Sequence, residues 1–174
     1  ADQVTALTST QVSALQTSQL KSLSTAQLQA LDASDVAAMG TAQVQALTDT
    51  QVKAMTTAAM AALTTTQVGA LTTGQVKALS AAQVTALTTA SVAKLSTTQL
   101  SALSSTQVRA LTTSAVAGMS STQVNALSTS QVASLSTEQV NALSTSTLSG
   151  LSTTNLAGLT TTQVAVLDAA DVQA

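Results

Sequence analysis

Apolar residues return along this chain at a fixed interval of eight. One column runs Leu7, Leu15, Leu23 and onward to Leu167 without an insertion, departing from Leu only at Met39, Met55 and Met119. A second column, from Val4 to Val172, holds Val or Leu with Met60 the one exception. The residue before each Leu is small: Ala at most positions, Ser22, Ser134, Gly118, Gly150 and Gly158 at others, with Lys94 and Val166 as departures. The unit is Leu-(Ser/Thr)-x-x-Gln-Val-x-Ala. Almost 22 copies fill residues 1–174 with no linker or break in composition, which predicts one continuous array.

An eight-residue period does not suit an unbroken helix. Each helical residue turns about 100°, so an octad turns about 800° and the apolar stripe drifts by about 80° per repeat. A heptad or 11-residue coiled coil does not match this drift either. Strict alternation fails as well, because the apolar positions are the first, sixth and eighth of each unit, and a β-solenoid would want more corner residues than six Gly. The helix is therefore expected to break once per repeat.

The residues after each Leu show where. Ser or Thr follows at 17 of 21 positions, the others being Gln16, Asp32, Gly40 and Asp168, and Gln stands three residues further on in 15 of the 22 copies. Thr64-Thr65-Thr66-Gln67 and Ser96-Thr97-Thr98-Gln99 are examples. This is a capping box, in which the hydroxyl accepts from the third helical N–H and Gln reaches back to the cap's own N–H. Asp32-Ala33-Ser34-Asp35 and Asp168-Ala169-Ala170-Asp171 keep the pattern with Asp in place of Gln. The Leu before the cap and the Val inside the helix, Leu71 with Val76 for instance, complete a hydrophobic staple. The predicted fold is all-α: a solenoid or superhelix of short capped helices, one per octad. A helix this short is not stable alone in water, since isolated helices below roughly 12 residues are marginal. The octads must share a stacked core of Leu, Val and Ala, with the small residue before Leu allowing backbones to approach.

Composition narrows the function. The chain has no His, Cys, Pro or aromatic residue, while 33 Thr and 23 Ser make up nearly a third of it. With no imidazole or thiol, the usual bases, nucleophiles and zinc ligands are missing, so the expectation is a protein without enzymatic activity, cofactor or metal. A charged fraction of 7% argues against a nucleic-acid binder, and Ser, Thr or Gln interrupts every apolar run well short of a membrane span. No catalytic, cofactor-binding or metal residue is expected, nor a small-molecule substrate.

Three surface features compete with plain solvation. Lys21, Lys53, Lys77 and Arg109 share one column, which reads either as a sparse polyanion-binding row or as a solvent face, and four charges are few for counterion release. Neighbouring Ser and Thr columns, as in Thr160-Thr161-Thr162, read as capping and solvated first-turn positions, or as a hydroxyl lattice that orders water or ice, or as a glycosylated surface. The Gln column reads as capping, or as a ladder of amide hydrogen bonds between stacked turns. The four Met are core fillers, and Asp35 and Asp171 sit where a negative charge suits a helix start.

The motif Ala-Leu-Thr-Thr-x-Gln-Val-x-Ala-Leu-Ser/Thr resembles tandem octapeptide tracts of very large secreted bacterial surface proteins, often labelled adhesin-like or haem-utilisation proteins. The resemblance covers the whole chain and implies an extracellular or cell-surface setting and a structural role. It transfers no functional residue, and without His, Cys or Tyr only Met could ligate haem iron. Joining Ala174 to Ala1 in octad register takes two further residues, which fits a window of a longer tract or a fibre subunit. The expected function is an extracellular filament or adhesin stalk segment that associates with itself end to end. The alternative is an ice- or water-ordering module on the Ser/Thr columns.

Overall fold

A computed structural model describes residues 3–167. The Asp168–Asp171 cap and Val172 expected from the sequence lie outside the described residues. Backbone contacts divide the chain into two compact units, residues 1–87 and 88–174. The first holds α1 (Ser9–Ala14), α2 (Thr17–Ser22), α3 (Thr25–Gln29), α4 (Ala33–Ala38), α5 (Thr41–Ala46), α6 (Asp49–Ala54), α7 (Thr57–Ala62), α8 (Thr65–Ala70), α9 (Thr73–Ala78) and α10 (Ala81–Ala86). The second holds α11 (Thr89–Val92), α12 (Thr97–Ala102), α13 (Ser105–Arg109), α14 (Thr113–Ala117), α15 (Ser121–Asn125), α16 (Thr129–Ser134), α17 (Thr137–Asn141), α18 (Thr145–Ser149), α19 (Thr153–Ala157) and α20 (Thr161–Val164). There is no strand among the described residues.

The octad is built from a helix and two extended residues. In α9, Thr73–Ala78 are helical, Leu79 closes the helix at φ −58°, ψ 136°, and Ser80 begins the next at φ −73°, ψ 159°. The Leu79 N–H donates to the Val76 carbonyl at 3.3 Å, tightening the last turn. Helices commonly end on a left-handed Gly. Here no described residue has a positive φ, so the connection uses only dihedrals that any L-residue adopts. That is why 20 short helices can follow one another among the described residues of a chain with only six Gly and no Pro.

Within each unit, every helix packs on the helix three further along: α1 on α4, α2 on α5, and so to α7 on α10, and likewise α11 on α14 through to α17 on α20. Side-chain hydrogen bonds also reach the helix four further along, as from Gln43 in α5 to Val12 in α1. One superhelical turn of a unit therefore takes between three and four octads. The Val column faces the core, with Val12, Val52, Val68 and Val108 fully enclosed, and the Leu column is 3–6% exposed from Leu31 to Leu143.

The small column before Leu marks the closest approach of successive turns. A Cβ on Gly150 would lie 2.7 Å from Ser121 Cβ, and one on Gly158 would lie 3.1 Å from Thr129 Cα. Each contact spans 29 residues, from the end of one helix to the start of another a turn earlier. At Gly40, in the cap column, an added Cβ would meet only the Gln43 side chain at 3.6 Å. Gly150→Ala is therefore expected to lower unfolding free energy by about 1–3 kcal/mol through overpacking, while Gly40→Ala leaves it within about 0.5 kcal/mol. Urea denaturation followed by circular dichroism compares the two directly.

Candidate functional site: the glutamine column

Each cap is local and redundant. Thr72 Oγ1 accepts from the Gln75 N–H at 3.2 Å, and Gln75 Oε1 accepts from the Thr72 N–H at 2.8 Å. Where the cap lacks a hydroxyl, the Gln half persists: Gln43 Oε1 accepts from the Gly40 N–H and Gln19 Oε1 from the Gln16 N–H, both at 2.7 Å. Where Gln is absent, the hydroxyl half persists, as at Thr56 with Ala59 and Thr112 with Ala115. Either half satisfies one of the N–H groups that a helix start leaves open.

Capping uses only the oxygen of the amide. The nitrogen points to the previous turn, where Gln75 Nε2 donates to the Val44 carbonyl at 2.8 Å and the Leu47 carbonyl at 2.7 Å. Gln51 makes the same pair of bonds to Leu20 and Leu23, Gln67 to Val36 and Met39, and Gln83 to Val52 and Met55. In the second unit Gln131 reaches Leu100 and Leu103, and Gln163 reaches Val132 and Leu135. The acceptors lie 31 and 28 residues earlier, and Gln51, Gln67, Gln75 and Gln83 also approach the carbonyl 30 residues earlier at 3.3 Å. They are carbonyls at the C-terminal end of a helix, where the Val-column carbonyl otherwise accepts only the weak last-turn bond from the following Leu N–H, as Val44 does from Leu47 at 3.2 Å. One amide thus caps the start of its own helix and the end of another.

The two readings of this column, capping and an inter-turn ladder, are both correct, because they use opposite ends of the same group. The ladder runs from Gln to backbone rather than from Gln to Gln. Burial follows: Gln75 is 1% exposed and Gln51 3%, yet no buried side-chain N or O among the described residues lacks a partner. Substitutes keep what their chemistry allows. Asn155 Nδ2 donates to Val124 at 2.7 Å and Leu127 at 3.2 Å, and Thr147 Oγ1 donates to Met119 at 3.3 Å. Asp35 has no amide donor. It accepts from the Asp32 N–H at 3.2 Å and from the Ser9 hydroxyl at 3.0 Å.

The other candidate positions fall on the surface. Lys21, Lys53, Lys77 and Arg109 are all exposed, with Lys53 and Lys77 on the stacked helices α6 and α9. Long polar members of this column tie forward to the next turn: Gln29 Nε2 donates to the Ala54 carbonyl at 2.9 Å, Asn125 Nδ2 to Gly150 at 2.8 Å and an Arg109 guanidinium nitrogen to Ser134 at 3.5 Å. The column is thus a solvated face with a bracing role. Cap hydroxyls accept from backbone N–H groups, and of the first-turn Ser and Thr some are also engaged, Ser9 donating to Asp35 at 3.0 Å and Ser105 to the Ser130 carbonyl at 3.4 Å. The Met side chains Met39, Met55, Met60 and Met119 are buried in the core columns. No cluster of potential metal ligands occurs among the described residues, and no described helix is long and apolar enough to cross a membrane.

Two exposed acids are stabilised as anions. The Ser34 hydroxyl and then the Asp35 N–H hold the Asp32 carboxyl below its ordinary value. Glu138 is lowered by its own backbone N–H, then by the Ser136 hydroxyl, with Arg109 adding a weaker attraction. Groups with a depressed folded pKa stabilise the fold above the unfolded carboxylate value, and that contribution disappears as pH falls through the folded value. The melting temperature is therefore expected to be level between about pH 5 and 8, where no side chain of this composition titrates normally, and to fall modestly below about pH 4. Thermal scans across that range check both halves.

The amide ladder has a larger expected effect. Gln75→Ala removes the donor to two buried carbonyls and half of a cap, and should lower unfolding free energy by about 2–4 kcal/mol. Thr73→Ala, on the exposed first turn of the same helix, should change it by no more than about 0.5 kcal/mol. Equal losses for the two variants would remove the Gln column from the account of stability.

Comparison with known proteins supports the repeat reading. The family model of the ALTTAQ repeat matches residues 12–49, 36–73, 49–81, 67–97, 78–113, 105–137, 115–145 and 124–153. No curated protein and no solved structure matches the chain.

Proposed function

Since the chain belongs to the ALTTAQ repeat family, we propose that its role is structural: a length-setting segment of an extracellular filament or adhesin stalk, without catalytic activity. The observation that carries this reading is the amide ladder. It repeats one connection, from helix start to the end of a helix in the previous turn, in both units, with the same 28- and 31-residue separations. Such an arrangement grows by adding equivalent turns, each needing its neighbours for burial and for hydrogen bonding. The resemblance to secreted bacterial surface tracts supports the extracellular placement, and a neutral surface rich in Ser and Thr suits a spacer. Spending the cap hydroxyls on the backbone weakens the alternative of a water-ordering lattice, which is left with the first-turn columns.

Negative-stain electron microscopy with circular dichroism on the same sample tests the proposal. The expected outcome is elongated particles of uniform width with a helical spectrum. Compact particles or a β-type spectrum would sink it, and thermal hysteresis or ice shaping would favour the water-ordering module.

A further inference from the structure

The chain contains one Arg and one Glu, and both line the same cleft of the second unit. The cleft encloses about 370 Å³ between the end of α13, the junction of α16 with α17 and the start of α20. Arg109 ends α13, and Glu138 stands 29 residues later in the first turn of α17. At the same spacing Thr50 follows Lys21 and Ala82 follows Lys53, and neither carries a charge. The two charges of the cleft are not spent on each other. The Glu138 carboxyl is held anionic first by its own backbone N–H and then by the Ser136 hydroxyl, and Arg109 contributes least. Arg109 gives one guanidinium nitrogen to the Ser134 carbonyl at 3.5 Å, the outer limit of a hydrogen bond, and keeps further donors in its fork. From α20 come the Thr160 and Thr162 hydroxyls, 3.0 Å apart.

We propose that this cleft binds a small zwitterion, a molecule of amino-acid type with a carboxylate for Arg109 and an ammonium for Glu138. The charges select the class. An anion that meets Arg109 also meets Glu138, and a cation has the reverse difficulty, so a ligand of one sign is repelled by one group wherever it gains from the other. A zwitterion satisfies both. The guanidinium fork accommodates a carboxylate with two parallel hydrogen bonds. An ammonium offers three donors, which the Glu138 carboxylate and the hydroxyl oxygens beside it can accept. Apolar ligands are disfavoured, because Ala133 and Leu135 are the only aliphatic side chains of the lining, whereas sites for such ligands are mostly apolar. Both charged groups are exposed to solvent, which screens them, so the expected Kd lies at about 1–20 mM. The ligand is bound and released unchanged. The site adds a binding function to one turn of the array and does not depend on the spacer role.

Because the Arg and the Glu are each unique, the Arg109 Nε–H and the Glu138 carboxyl carbon give two single signals in the NMR spectrum of the full chain, labelled at those residue types. The chain is titrated at constant ionic strength with glycine, β-alanine and γ-aminobutyrate, which space the two charges progressively further apart. Acetate and ethylammonium serve as single-charge controls. Both signals are expected to move together and to saturate, with at least one zwitterion binding about tenfold more tightly than either control. Arg109→Gln, read on the Glu138 signal, and Glu138→Gln, read on the Arg109 signal, should each weaken that zwitterion about tenfold. Both positions are exposed, so the two variants should keep the circular dichroism spectrum of the parent chain. No movement of either signal up to about 50 mM of all three zwitterions would overturn the proposal. So would controls that bind as tightly as the zwitterions, which would reduce the site to ordinary pairing of one exposed charge. Variants that bind like the parent would remove Arg109 and Glu138 from the site and overturn it as well.

Discussion

A single primary amide joins the two unsatisfied ends of neighbouring short helices, and this fold follows from it. Helices of four to six residues leave most of their backbone groups without intrahelical partners. Water could satisfy those groups, but then nothing would hold successive turns in place except a thin aliphatic core with no aromatic ring. The Gln side chain removes the difficulty by having an acceptor and a donor on the same carbon. Its oxygen serves the helix it belongs to, and its nitrogen serves two or three carbonyls a turn away. Because the amide is almost wholly enclosed, each of these bonds is costly to leave unmade. A Glu would lose the donor and bring a charge into the interior. A Ser, as at Ser91, can share a hydrogen with the cap hydroxyl Thr88 but is too short to copy the Gln reach.

The local half of this structure was legible in the sequence. The cap column located the helix starts even where Gln16 or Gly40 replaces Ser or Thr, the Leu column stood within three residues of each helix end among the described residues, and the Val and Leu columns marked the core. Even Asp32 with Asp35 read correctly as a cap, since capping depends on residues three apart. The non-local half was legible only as a pair of alternatives. A Gln at the third helical position looks the same whether its nitrogen meets water or a carbonyl 31 residues away. The size of a turn was hidden for a related reason. Every octad carries the same donor and acceptors, so pattern alone does not tell the third neighbour from the fourth. Gly150 against Ser121 gives the signal that was available: the small column before Leu indicated a close approach, though not the residue approached.

The extended Leu-cap dipeptide contributes as much as the helices. It turns the chain without Gly or Pro and without a strained dihedral, and its Leu is simultaneously a core residue. Turn and core are thus encoded by the same side chain, which is how an eight-residue unit carries a complete structural element. The bracing bonds from Gln29, Asn125 and Arg109 add a second, outer set of links in the opposite sense, from one turn to the next. In α15, Gln123 and Asn125 thus link one helix to the turn before it and the turn after it.

Sameness among octads also has a cost for uniqueness. If a turn slipped by one whole octad, nearly every Gln would find an equivalent carbonyl and nearly every Val an equivalent Leu, so the regular residues barely distinguish the correct alignment from its neighbours. The distinction must come from the irregular ones. Gly118 accommodates Thr89, Gly150 accommodates Ser121, and Asn125 takes both the Gly150 carbonyl and the Ser152 N–H; Asp35 finds its donor at Ser9. A shift by eight puts Thr97, Thr129 or Thr17 where Thr89, Ser121 or Ser9 stood, so these pairings change in shape more than in chemistry. The departures from consensus are therefore weak address labels in an otherwise degenerate code, and a perfectly regular version of this sequence would carry none.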